Sequence, residues 1–87
     1  MGHDRASLVK VTIKREDGML FAKSADLEGL FVCAATNEQL SKRLMQAIAK
    51  LASFTSGVEV RVDPVLEGGA TASDRPIDKF IVHYAAA

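Results

Sequence analysis

Eighty-seven residues support one hydrophobic core, so a single domain is expected. Eleven Lys and Arg balance eleven Asp and Glu, whereas free-standing nucleic-acid binders usually carry a basic excess. Charge therefore argues against direct nucleic-acid binding. An apolar fraction of 48% with 25% charged residues excludes disorder, which needs fewer apolar residues and a larger net charge.

No run of 18 apolar residues and no signal-peptide succession is present, which predicts a soluble protein with no membrane association. Cys33 is the single cysteine. It forbids an intrachain disulfide, supplies too few sulfurs for a zinc site and fits a reducing cytoplasm, so a cytoplasmic location and no metal or cofactor are expected.

Met1 to Leu8 lack periodicity and read as a disordered or tag-like terminus, leaving residues 9–87 as the domain. From Val9 the chain alternates strictly: Val9, Val11 and Ile13 face one way, Lys10, Thr12 and Lys14 the other. Only a strand has that period. Arg15-Glu16-Asp17-Gly18 then predicts a tight hairpin, because Gly accepts positive φ without steric cost. A second strand follows over Met19 to Ser24, and Asp26-Leu27-Glu28-Gly29 breaks it before a third apolar segment, Leu30 to Ala35.

Thr36-Asn37-Glu38-Gln39 reads as a capping box that opens a helix of about 17 residues. Leu40, Leu44, Ala47, Ile48 and Leu51 form its apolar stripe, while Lys42, Arg43, Gln46 and Lys50 take the opposite side. Lys50 is expected near the negative end of the helix dipole, and Gly57 as a left-handed terminator. Val58, Val60 and Val62 alternate with Glu59, Arg61 and Asp63 as a fourth strand that Pro64 ends. Glu67 to Pro76 reads as a surface loop, and Ile77 to Tyr84 as an edge strand or a strand that pairs with another chain. The class is α+β, in the order β-β-β-α-β with a further weak β: one helix on one face of a mostly antiparallel sheet.

One helix leaves the second face of that sheet uncovered. Met19 and Phe21 share one side of their strand, Leu20 and Ala22 the other, and Leu30 to Ala35 is apolar on both. Strands apolar on both sides are characteristically buried on both, so self-association as an isologous homodimer is expected. The alternative is that the C-terminal segment folds back over that face.

No constellation in the chain meets the requirements of catalysis, and a non-enzymatic protein is expected. Neither a Gly-x-Gly-x-x-Gly nor a P-loop is present. Cys33 within an apolar strand reads as a small core hydrophobe, and His83 as a strand residue with no second ligand at metal-binding spacing. Asp26 and Glu28 read as solvated loop carboxylates, Asp26 bonding nearby amides. Lys10 and Lys14, like the helix cations, read as a solvated face. Nucleic-acid contact would require aromatic residues interleaved with such cations, and the four Phe residues fall mostly at core-like positions.

Glu16-Asp17-Gly18, Asp26-Leu27-Glu28-Gly29-Leu30, Phe31 to Ala35 and Thr36-Asn37-Glu38-Gln39-Leu40, in this order and spacing, resemble the HicB-like antitoxin family, including its small stand-alone members of unknown function. The resemblance spans Val9 to about Val62, with Glu28 where the family usually carries Pro. It implies a partial ribonuclease-H-like fold. It also implies a non-enzymatic protein that binds and sequesters a partner, as the antitoxin of a toxin–antitoxin pair blocking a small basic ribonuclease toxin. Family antitoxins often add a C-terminal DNA-binding domain, for which this chain leaves no room. A ribonuclease-H-type site needs clustered carboxylates, and the first strand offers Lys10, Thr12 and Lys14 instead. Asp26, Glu28 and Phe31 are the partner contacts that an acidic corner facing a basic toxin suggests. The alternative is a stand-alone dimeric structural or small-molecule-binding domain.

Overall fold

The alternating run that opens the chain is long enough to serve two sheets. In the computed structural model, which describes residues 5–65 and 77–85, it forms β1 (Arg5–Lys10) and β2 (Thr12–Glu16), separated only by Val11. β3 (Met19–Lys23), β4 (Phe31–Ala34), α1 (Asn37–Ser56), β5 (Val60–Pro64) and β6 (Lys79–Tyr84) follow. Two three-stranded sheets result, ordered β1-β6-β5 and β2-β3-β4, and all four pairings are antiparallel. The α+β class is thereby established, with one helix among the described residues.

Local chemistry accounts for the joints. Asp17 and Gly18 both take positive φ, 51° and 77°, the signature of the two-residue turn whose twist matches a hairpin. Thr36 Oγ1 accepts from the Gln39 amide at 3.2 Å, and Gly57 closes the helix at φ 76° with its N–H donating to the Ser53 carbonyl. Leu40, Leu44, Ile48 and Ala52 lie on one helix face and are buried with Val9, Val11, Leu20, Ala22, Leu30, Val32, Val62, Phe80 and Val82. These side chains come from both sheets, so one helix covers the inner face of each.

Several expectations are corrected. Arg5 to Leu8, read as part of a disordered terminus, pair with β6 in the register Arg5↔Tyr84 to Leu8↔Ile81. The last strand is the central strand of its sheet rather than an edge, lying between β1 and β5. It therefore does not fold back over the outer face. Only one of the four Phe residues, Phe80, is buried in the core, while Phe31 and Phe54 are exposed. Cys33 is half-buried on the outer side of β4, not in the core, because Val32 and Ala34 take the inward positions. Helix α1 runs on to Ser56, which leaves Lys50 outside a last turn that contains no basic residue. The expected loop Glu67–Pro76 lies outside the described residues.

Ser41 breaks the apolar rule of the inner helix face. It is only 8% exposed, and its hydroxyl oxygen has no hydrogen-bond partner. A buried orphan hydroxyl costs about 1–3 kcal/mol, and Ala is also the better helix former. Ser41→Ala is therefore expected to stabilise the fold by about 1 kcal/mol, read as a rise of roughly 4–8 °C in Tm for a chain of this size.

Candidate partner-binding site

The corner between β3 and β4 is built around two backbone requirements. The Leu30 amide donates to the Leu27 carbonyl at 3.2 Å, closing a four-residue turn, and Gly29 at its third position has φ 89°. Positive φ there is the mark of a type II turn, in which Pro is favoured at the second position. Glu28 holds that second position, and its side chain is free to point outward. The departure from the Asp-Leu-Pro-Gly pattern thus keeps the turn and adds a charge.

Asp26 has a different role. Its carboxylate accepts from the Lys10 amide at 2.8 Å, its own amide donates to Ser24 Oγ at 3.0 Å, and Ser24 Oγ donates to the Lys10 carbonyl. β3 ends at Lys23, so these side chains extend its ladder by one more pairing to reach Lys10. The carboxylate closes a long-range backbone joint sixteen residues away rather than a local turn.

The corner faces the C-terminal end of α1 across a groove of about 470 Å³ whose walls include Glu28, Leu51, Phe54 and Tyr84. Phe54 is 88% exposed, an uncommon position for a large aromatic ring. The Arg5 guanidinium sits 5.5 Å from the centre of the Tyr84 ring and fixes that wall by a cation–π contact. At the same end the helix dipole is uncompensated, since no cation occupies the last turn. Glu28 and Asp26 place carboxylates on the groove, the Arg5 guanidinium stands against its Tyr84 wall, and Phe54 gives it an apolar lip.

The three residues expected to act together are therefore separated. Asp26 and Glu28 border the groove, Asp26 being committed to the Lys10 amide. Phe31 lies on the outer face of β2-β3-β4, where its ring centre is 6.1 Å from that of Phe21. Phe54, Leu51 and Tyr84 were not identified from sequence. A signal existed in Ala47, Leu51 and Phe54, which recur at i, i+4 and i+7 and form an apolar row that continues beyond the end of the core.

On the outer face of β1-β6-β5, Asp63 Oδ2 takes both the Arg61 Nε at 3.2 Å and the His83 Nε2 at 3.4 Å. This arrangement neutralises charge without assembling a nucleophile and base. Among the described residues no three His, Cys, Asp or Glu side chains converge to hold a metal ion, and no helix is long and apolar enough to cross a membrane.

The two corner residues should respond oppositely to substitution. Asp26→Ala is expected to lower the unfolding free energy by about 1 kcal/mol, the worth of a hydrogen bond to a backbone amide at an exposed site. Glu28→Pro, which restores the residue favoured at that turn position, is expected to raise it by about 0.5–1 kcal/mol; urea unfolding of both variants checks this. No family model, curated protein or solved structure matches the chain.

Proposed function

We propose that this chain is a non-enzymatic, HicB-like protein of the cytoplasm that binds and sequesters a protein partner carrying a basic surface, as the antitoxin of a toxin–antitoxin pair does. The observation that carries the reading is Phe54, 88% exposed at the lip of a groove that Asp26 and Glu28 border. An exposed aromatic anchor beside unpaired negative charge is the pattern of a binding hot spot with electrostatic steering. The order of elements supports the family resemblance: an Asp-Gly hairpin, a glycine-closed corner, a short apolar strand and a Thr-capped helix occur in succession.

Self-association belongs to the same proposal, and the edge of β4 supports it. Arg43 Nη1 donates to the Cys33 carbonyl at 2.8 Å, which places the polar groups of Cys33, and of Phe31 two residues earlier, on the side away from β3. The edge Phe31-Val32-Cys33-Ala34 has no Lys or Pro within it, and Arg43 from α1 caps its Cys33 carbonyl while leaving the Phe31 backbone groups to pair with a second strand. Antiparallel pairing of two β4 strands would join two β2-β3-β4 sheets and leave each groove open.

Co-expression with the product of the adjacent reading frame tests sequestration. A basic, toxin-sized protein is expected to co-purify, with Phe54→Ala and Glu28→Lys each weakening the complex about tenfold or more, or roughly 1.4 kcal/mol. A neighbour that is not basic, together with no co-purifying protein, would remove the antitoxin reading. Light scattering is expected to give twice the chain mass for the unmodified protein and a single chain mass for Cys33→Lys, which puts a charge on the pairing edge.

A further inference from the structure

The outer face of β2-β3-β4 carries an aromatic and basic surface that the groove does not use. Alternation with buried Val11, Leu20, Ala22 and Val32 sends Thr12, Lys14, Phe21, Lys23 and Phe31 outward, with Lys10 on the adjoining end of β1. Cross-strand pairing places Lys14 opposite Phe21, and Lys23 opposite Phe31 with Thr12 on its other side. Each ring thus has a lysine as direct neighbour. Residues from all three strands line a shallow concavity of about 310 Å³, and Phe31 is 64% exposed. Phe21 leans against Phe31 at an interplanar angle of 42°, which holds one ring while the other presents a face. Of the carboxylates on this sheet only Glu16 shares the surface, so in a chain of zero net charge the face is locally positive.

We propose that this face binds single-stranded RNA. Rings standing on an open sheet offer stacking platforms to unpaired bases, and lysines beside them meet the phosphates. Helix α1 lies against the opposite side, so nothing within the described residues covers the platform. The Thr12 hydroxyl, in the same row as Lys23 and Phe31, is placed to exchange a hydrogen bond with a ribose 2′-hydroxyl. A second copy of the chain seated face to face would oppose Lys10, Lys14 and Lys23 with the same lysines, a like-charge arrangement that disfavours this occupant. A duplex would offer no unstacked base to the rings.

Fluorescence anisotropy with a labelled oligouridylate of about a dozen nucleotides tests the proposal, since single-strand sites commonly span several to about sixteen nucleotides. Saturable binding is expected, tighter than for the matching deoxyuridylate and at least about tenfold tighter than for an RNA duplex. Phe31→Leu, which keeps bulk without the ring face, is expected to weaken binding about tenfold, and Phe31→Tyr to retain it. Lys14→Ala with Lys23→Ala should reduce the slope of log affinity against log salt by about 1.4, or roughly 0.7 for each lost phosphate contact. Lys50→Ala, on the helix, should leave binding unchanged. No saturable binding, equal losses from Lys50→Ala and Lys14→Ala, tighter binding of the deoxyuridylate, or retention by Phe31→Leu would each overturn the proposal. So would a dimer that Phe31→Leu dissociates in a protein that binds no oligouridylate.

Discussion

The fold turns on Lys10 and Val11, where one continuous strand exchanges neighbours. Successive backbone groups of a strand point to opposite edges. Val11 donates to the Asp78 carbonyl on the β6 side at 2.7 Å, while the Lys10 amide and carbonyl turn to the β3 side. β3 has already ended there, and Asp26 and Ser24 supply side-chain oxygens in place of its backbone. Both edges are thereby satisfied at the one point where neither sheet alone could do it. A slip of one residue at this joint would turn Val9, Val11 and Ile13 outward and Lys10, Thr12 and Lys14 into the core.

From that joint follows the division of labour between the two faces. Because the inner side stays in phase through Val11, the two sheets share an apolar surface, and a helix of 20 residues, about 30 Å long, can lie against both. The same phase puts Phe31, Phe21 and the strand lysines on the far side, where the helix cannot reach them. Full burial of a phenylalanine is worth about 1.5–3 kcal/mol, and most of that gain is left unrealised at Phe31 and at Phe54. Core packing does not explain the position of either ring.

The features legible in the sequence were those that depend on near neighbours. Alternation located the strand through Val9 to Lys14 that joins β1 to β2, Asp17-Gly18 the hairpin, and Thr36 and Gly57 the helix ends, since each signal acts over a few residues. What sequence reading missed depends on partners far away in the chain. Arg5-Ala6-Ser7-Leu8 alternates for only four residues and out of phase with Val9, Val11 and Ile13, and becomes a strand because β6 lies beside it. β6 looked like an edge because nothing local shows that β1 and β5 flank it. For the groove, the acidic corner was found but its apolar wall was not, because Phe54 belongs to the wall only once the helix has run past the core. Apolar residues on both sides of β4 were recognised, yet the alternation that makes Phe31 a surface residue also makes Leu30, Val32 and Ala34 core.

Net charge is silent on this division of surfaces. A sum of zero over the chain is compatible with strong local fields, because exposed charges are screened beyond about 8–10 Å and a partner responds to the patch it touches. Glu28, Asp26 and the open end of the helix dipole collect negative charge at the groove. Lys14 and Lys23 collect positive charge on the outer face of β2-β3-β4, whereas Arg61 on the neighbouring sheet is already matched by Asp63. A sheet with one covered face separates these populations without any special device: period-two alternation sends the strand cations away from the helix, and the corner carries the carboxylates to the helix end. The groove and the outer sheet face therefore lie on separate parts of the fold, and occupying one would leave the other accessible.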